Sequence, residues 1–189
     1  MIRRSMVVLL LLAGGWFGSA QKGSAQTNFL APLKSTWEST RTLVQGIVAQ
    51  VPEDKYDYRP TPETRSFRDQ FTHLIGENYR FMAMAAGEQP PVDMSSINQL
   101  KGRDEIVKAL TESYDYGAKV WTGMDEAKAV EMTAGMGGRQ QMRWAMILAN
   151  IVDNMDHYGN LVTMVRLNGM VPGRSAGQQQ QRQPPPPQR

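Results

Sequence analysis

Two histidines, His73 and His157, supply every imidazole in the chain, and there is no cysteine. The absence of thiols removes disulfides, thiolate metal sites, iron–sulfur clusters and a cysteine nucleophile together. Chemistry that needs a nitrogen ligand or a base active near neutral pH must therefore use His73, His157 or both. Asp153 precedes His157 by four residues, a spacing that puts both side chains on one face of a helix, where they can share a metal ion. His73 sits at the border of another apolar helical face, set by Phe67, Phe71, Leu74, Asn78 and Phe81, with Glu77 one turn further on. A lone histidine in such a place is commonly a hydrogen-bonded structural residue. Joined with Asp153 and His157, it completes two imidazoles and a carboxylate, a facial set with coordination positions left open. Glu77 would then be a fourth ligand or the partner that fixes an imidazole.

Other constellations carry less. Gly173, Ser175 and Gly177 match GxSxG, but that nucleophile elbow needs a strand before it and a helix after it, and a glutamine-proline segment supplies neither. Gly135, Gly137 and Gly138 precede a helix start without the Lys-Ser or Lys-Thr of a phosphate loop. Asp125 and Glu126 read as surface charge. The methionines read as flexible core filler, since Met82 and Met84 lie on different faces of their helix and no His-rich tract accompanies them.

The elements that must position the two histidines follow from apolar spacing. Leu30, Leu33, Trp37, Thr40, Val44, Ile47 and Val48 recur at three and four residues, which predicts a first helix over about 28–49. Pro52, Pro60 and Pro62 then enforce a long irregular connection. Ser66, with Asp69 three residues on, is an N-cap for a second helix from Phe67 to about Ala86, stopped by Gly87 and Pro90–Pro91. A third helix fits 104–124 on Ile106, Leu110, Ser113, Gly117, Val120 and Trp121. The stretch 125–138 fits a short helix or a turn equally well. A fourth helix runs from about Arg139 to Asn168, closed by Gly169 and Pro172. No alternating strand pattern competes, so the expectation is an all-α, up-down four-helix bundle over 27–172, with a long proline-containing connection between helices 1 and 2.

On the fourth helix, Trp144, Ile147, Leu148, Ile151, Met155, Tyr158, Val162 and Val165 form an apolar sector, and Asn150, Asp153, Asn154, His157 and Asn160 a polar one. The polar sector reads either as the solvated face or as an enclosed polar site. Between Arg143 and Arg166 there is no Lys, Arg or Glu, the residues that normally fill solvated helix faces, and Met146 and Met164 fall in line with the Asx residues. That composition suits an enclosed site.

The termini account for the charge. The chain carries 21 Lys and Arg against 18 Asp and Glu, for a net charge of +3 and a pI near 9.3. Arg3, Arg4 and Lys22 lie before Gln26, and Arg174, Arg182 and Arg189 after Gly173, so the stretch between is mildly acidic and lacks the basic face of a nucleic-acid binder. Residues 1–25 have two arginines, an apolar run from Val7 to Ala13 and then small residues, the layout of a signal peptide cleaved before Gln21 or Gln26. The run is short for a bilayer span, and the absence of cysteine excludes a lipoprotein anchor. An exported protein, periplasmic or secreted and without a stable membrane anchor, is expected. Residues 173–189, rich in Gln and Pro, are expected to stay disordered.

The run from Phe29 to Asn78, which contains YDYRPTPETRSF ahead of His73, and the ending MDHYGNLVTMVRLNGMVP together resemble the DinB-like (damage-inducible) superfamily of four-helix-bundle proteins. The resemblance covers about 29–172. It implies a divalent metal, often zinc or nickel, held by three histidines: one at the place of His73 and a pair four apart in the last helix, commonly within HxxxHRGQ. His73 and His157 match two of these. Asp153 stands at the third, and the usual HRGQ reads His157-Tyr158-Gly159-Asn160. A carboxylate in the set shifts it toward oxygen-preferring ions, so manganese or iron join zinc and nickel as candidates.

Some relatives resemble thiol-dependent transferases, a chemistry that export would separate from cytoplasmic thiols. Hydrolysis of an ester or amide is chemically simpler. Two expectations follow. One is an exported metal protein, a hydrolase or transferase acting on a small molecule, with His73, Asp153 and His157 converging on an ion. The other is an exported bundle that binds a ligand or partner without metal, in which His73 faces away or Met146 and Met164 fill the site. A homodimer is compatible with either.

Overall fold

The computed structural model describes residues 28–174. The leader expected over 1–25, Ser175 and nearly all of the tail expected over 173–189 lie outside the described residues. The elements are α1 (Leu30–Gln50), α2 (Phe67–Ala86), the one-turn α3 (Met94–Ile97), α4 (Arg103–Thr122), the one-turn α5 (Glu126–Ala129), the strands β1 (Met132–Ala134) and β2 (Gln140–Met142), and α6 (Arg143–Leu167). None of the helices described is long and apolar enough to cross a membrane.

Helices α1, α2, α4 and α6 form the four-helix bundle. Cross-helix pairs fix their directions. Ala49 meets Arg103 and Arg41 meets Asp115, so α1 and α4 are antiparallel. Gln70 meets His157 and Ala85 meets Arg143, so α2 and α6 are antiparallel too. Phe29 packs on Trp144 and Trp37 on Asn150, so α1 and α6 are parallel. In chain order the directions are therefore up, down, down, up: the four-helix bundle is as expected, but the simple up-down alternation expected for it is broken between α2 and α4. The parallel step from α2 to α4 is made by the 87–102 connection, which returns along the bundle.

The start of α2 is set locally. The Ser66 hydroxyl accepts from the Asp69 N–H while the Asp69 carboxylate accepts from the Ser66 N–H, a complete capping box. Gly87 ends the helix in the left-handed region at φ 78°. Between these caps α2 is buried on nearly every face; apart from Arg68, Asp69 and Ala86 near its ends, the partly open residues are His73, Arg80 and Met84 along one strip. The proline-containing connection packs back on this helix: Tyr56 is fully buried edge-on against Phe71, and its carbonyl accepts from the Arg68 N–H.

Two further sequence expectations are corrected. The stretch after α5 forms an antiparallel hairpin, with Met132 opposite Met142, Thr133 opposite Gln141 and Ala134 opposite Gln140. Three-residue strands are too short to show period-two alternation. The turn between them uses Gly137 and Gly138 at φ 65° and 75°, and the hairpin moves the start of α6 from Arg139 to Arg143. The hairpin is tied to the end of α2, with the Thr133 hydroxyl donating to the Met84 carbonyl and Arg143 donating to the Ala85 carbonyl.

The second correction concerns the apolar sector of α6, whose polar sector is enclosed as its composition suggests. Asn150, Asn154 and His157 of the expected polar sector are buried, whereas Leu148 and Met155 of the expected apolar sector are exposed, as is Val152. The polar sector is an interior one because it meets polar partners on three other helices. Asn78 Oδ1 accepts from both Asn150 Nδ2 and Asn154 Nδ2, at 2.9 Å each. Trp37 Nε1 donates to Asn150 Oδ1 at 3.0 Å, the Tyr114 hydroxyl to Asn154 Oδ1 at 2.6 Å, and Asn78 Nδ2 to Ser113 Oγ at 3.0 Å. Burial raises the Tyr114 pKa, which keeps the phenol protonated as the donor this network needs.

Trp37 is pinned by that hydrogen bond and by edge-on contacts with Tyr114 and Trp121. Gly117 of α4 faces it so closely that an added Cβ would lie 2.5 Å from Trp37 Cζ2. Alanine in place of a helical glycine usually stabilises; here Gly117→Ala is expected to destabilise by about 1–3 kcal/mol through overpacking. Urea denaturation decides it, and a midpoint that rises instead would show that Trp37 can yield.

Candidate metal centre

The capping box fixes the phase of α2, and from it Gln70, His73 and Glu77 follow at intervals of three and four residues along one side. The facing side of α6 presents Asp153 and His157 one turn apart. The antiparallel packing of these two helices brings His73, Asp153 and His157 together: one ligand atom from each lies within 4.8 Å of the other two. The His73 and His157 rings meet edge-on, with centroids 4.6 Å apart. His157 is buried, and His73 and Asp153 are partly so.

Hydrogen bonding defines what the cluster can hold. Gln70 Oε1 lies 2.6 Å from His157 Nδ1, and an amide oxygen can only accept, so Nδ1–H is the donor. In the neutral ring the lone pair of His157 then sits on Nε2, 3.6 Å from Asp153 Oδ1. In that tautomer two electron-pair donors face each other across the cluster. The other oxygen, Asp153 Oδ2, is buried and has no hydrogen-bond partner. A buried carboxylate oxygen in that condition is costly unless a cation shares the site. Ligands at about 2.1 Å in a tetrahedral set stand roughly 3.4 Å apart, close to the separation of Nε2 and Oδ1.

The electrostatics favour ligand-ready protonation states. Burial holds His73 below the ordinary histidine value, helped by the Arg65 guanidinium and the His157 ring and opposed by Asp153, so its imidazole is neutral at pH 7. Burial pushes the Glu77 carboxyl up, against the pull of Arg80. Glu77 is not one of the three converging groups. Its carboxylate is ion-paired with Arg80, and the role of imidazole partner expected for it is taken by Gln70. Met146 does not fill the site either: it packs beneath Gly135 of the hairpin.

Sequence reasoning missed Gln70 and most of the asparagine network. Gln70 lies one turn ahead of His73 on a helix face that is otherwise apolar, a position where a polar residue signals a fixed partner. Asn78 interrupts the same apolar face and gave a comparable signal for the network.

Comparison with known proteins agrees with the bundle fold. A model described as the DinB family matches residues 25–184. No curated protein matches the chain. Among solved structures, a DinB-like protein from Bacillus subtilis superposes with a TM-score of 0.60 at 16% identity, covering 74% of this chain and 93% of that one. A DinB-like protein from Bacillus cereus gives 0.65 at 9% identity, covering 76% and 95%. At such identities these likenesses speak for the fold.

Proposed function

We propose, since this chain belongs to the DinB family and three potential ligands converge between α2 and α6, that it is an exported protein whose His73, Asp153 and His157 hold one divalent metal ion and turn over a small molecule. The observation that carries the metal reading is the convergence of ligand atoms from His73, Asp153 and His157 within 4.8 Å of one another, beside the unpartnered Asp153 Oδ2. One carboxylate and two imidazoles suit zinc and nickel and also accept manganese or iron. Such an ion supplies Lewis acidity and lowers the pKa of water, which fits a hydrolase or a transferase.

The chain's own residues do the remaining work. Gln70 holds the His157 Nδ1–H, and the burial of His157 shields that side of the cluster from bulk water. Arg65 and Arg80 place positive charge near His73, where it attracts anionic groups. His73 reaches into the cluster instead of facing away, which favours this reading over a metal-free bundle. Export rests on the leader pattern of residues 1–25.

The test is elemental analysis of the protein expressed from its full-length sequence, recovered outside the cytoplasm and purified without chelator. About one equivalent of metal per chain is expected, with an intact mass starting at Gln21 or Gln26. Adding metal to the stripped protein at a hundred times its Kd should raise Tm by roughly 5–10 °C. Substoichiometric metal together with an unmoved Tm would sink the metal assignment, and an uncleaved intracellular chain would sink export.

A further inference from the structure

A cleft of about 680 Å³ opens where the second half of α2 meets the hairpin and the 88–94 segment. Its wall is apolar around Ala83, Met84, Met94 and Ala134, and Arg80 stands at the end nearer the histidines. The volume matches a small-molecule site. Methionines give such a wall the adaptability to fit unbranched apolar chains.

Among the described residues that line the cleft, Arg80 carries the one positive charge. Its side chain is 43% exposed and spends one nitrogen on Glu77, and among the described residues its remaining N–H donors have no other partner. The acid on the wall, Glu88, is engaged by the Tyr116 hydroxyl at 2.8 Å. His73, Arg80 and Met84 lie along the partly open strip of α2. Seven residues of helix separate His73 from Arg80, a rise of about 10 Å. A ligand anchored on Arg80 is thus within reach of the cluster.

We infer that this cleft binds the carboxylate end of a small amphipathic acid, with Arg80 as the anion-binding residue and Met84 and Met94 as the bed for its apolar body. This names the substrate class for the metal reading proposed above and rests on it only for where the reactive group lies, toward His73. A carboxylate can take two parallel N–H bonds from a guanidinium, whereas an ester or amide cannot match that pairing.

The test uses hexanoate as probe and hexanamide as its neutral counterpart, titrated into the full-length protein with its methionine methyls observed by NMR. Hexanoate should shift the Met84 and Met94 methyls saturably and leave the exposed Met155 methyl in place. Hexanamide, and hexanoate with Arg80→Gln, should bind at least about tenfold more weakly, as expected for losing a charge-assisted hydrogen bond. Arg80→Gln is also made with Glu77→Gln, so that no buried carboxylate loses its partner, and Arg80→Lys should restore part of the binding. Equal binding with and without Arg80, absence of any shift, or a shift confined to Met155 overturns the assignment. A parallel His73→Ala, His157→Ala chain separates the two readings. Metal absent from it and from wild type, with hexanoate binding intact, defeats the metal site alone; metal present with Arg80-independent binding defeats the cleft alone.

Discussion

His157→Ala is expected to abolish metal loading, with loss of affinity larger than the 10–100-fold that removing an outer hydrogen-bond partner costs a metal site. The substitution deletes Nε2, one of the two donors facing each other across the cluster, and strands Gln70 Oε1 without the N–H it accepts. A graded series separates coordination from structure. Gln70→Leu keeps all three ligands and frees the ring, so it should fall within that 10–100-fold range while the protein stays folded. Asp153→His installs the third imidazole of the family pattern and should move preference from manganese toward zinc and nickel. Calorimetric titration of each stripped variant reads the result. Wild-type affinity in His157→Ala would remove the cluster from consideration, and wild-type affinity in Gln70→Leu would remove the tautomer argument.

Asn78→Leu is expected to be the most destabilising single change in the core, at about 3 kcal/mol, because one side chain serves three helices. Its oxygen accepts from two asparagines of α6 and its amide donates to Ser113 of α4. Leucine matches the volume but leaves Asn150 Nδ2 buried without an acceptor, and Trp37 then loses the oriented amide it donates to. Urea unfolding followed by circular dichroism should show a lower midpoint with an unchanged slope. A loss below about 1 kcal/mol would mean the network closes around the gap.

The bundle was legible because Trp37, Val44, Ile47 and Val48 on α1, and Ile106, Leu110 and Val120 on α4, recur at the helical period. The Ser66–Asp69 capping box and Gly87 were legible because they act within four residues. The histidine–aspartate set was legible from residue types and from family resemblance. What stayed hidden depends on contacts between distant segments. The composition around Asn150 and Asn154 suggests an enclosed site, but not that Asn78, Ser113, Tyr114 and Trp37 stand opposite them. The hairpin's strands are too short to carry a pattern, and its anchor is a carbonyl of α2. Helix directions are equally invisible, since the 87–102 connection does not announce that it runs back along the bundle.

The cluster also joins parts of the chain that lie far apart in order. Asp153 and His157 are neighbours on one turn, but His73 precedes them by about 80 residues. In the unfolded chain only the α6 pair can meet an ion, and bringing His73 to it means closing a long loop at an entropic cost of several kcal/mol. An ion held by all three therefore acts as a cross-link, comparable in span to a long-range disulfide. With an ion bound there, a polypeptide without cysteine would gain a staple between its second and last helices, one that a chelator removes and a reductant leaves untouched.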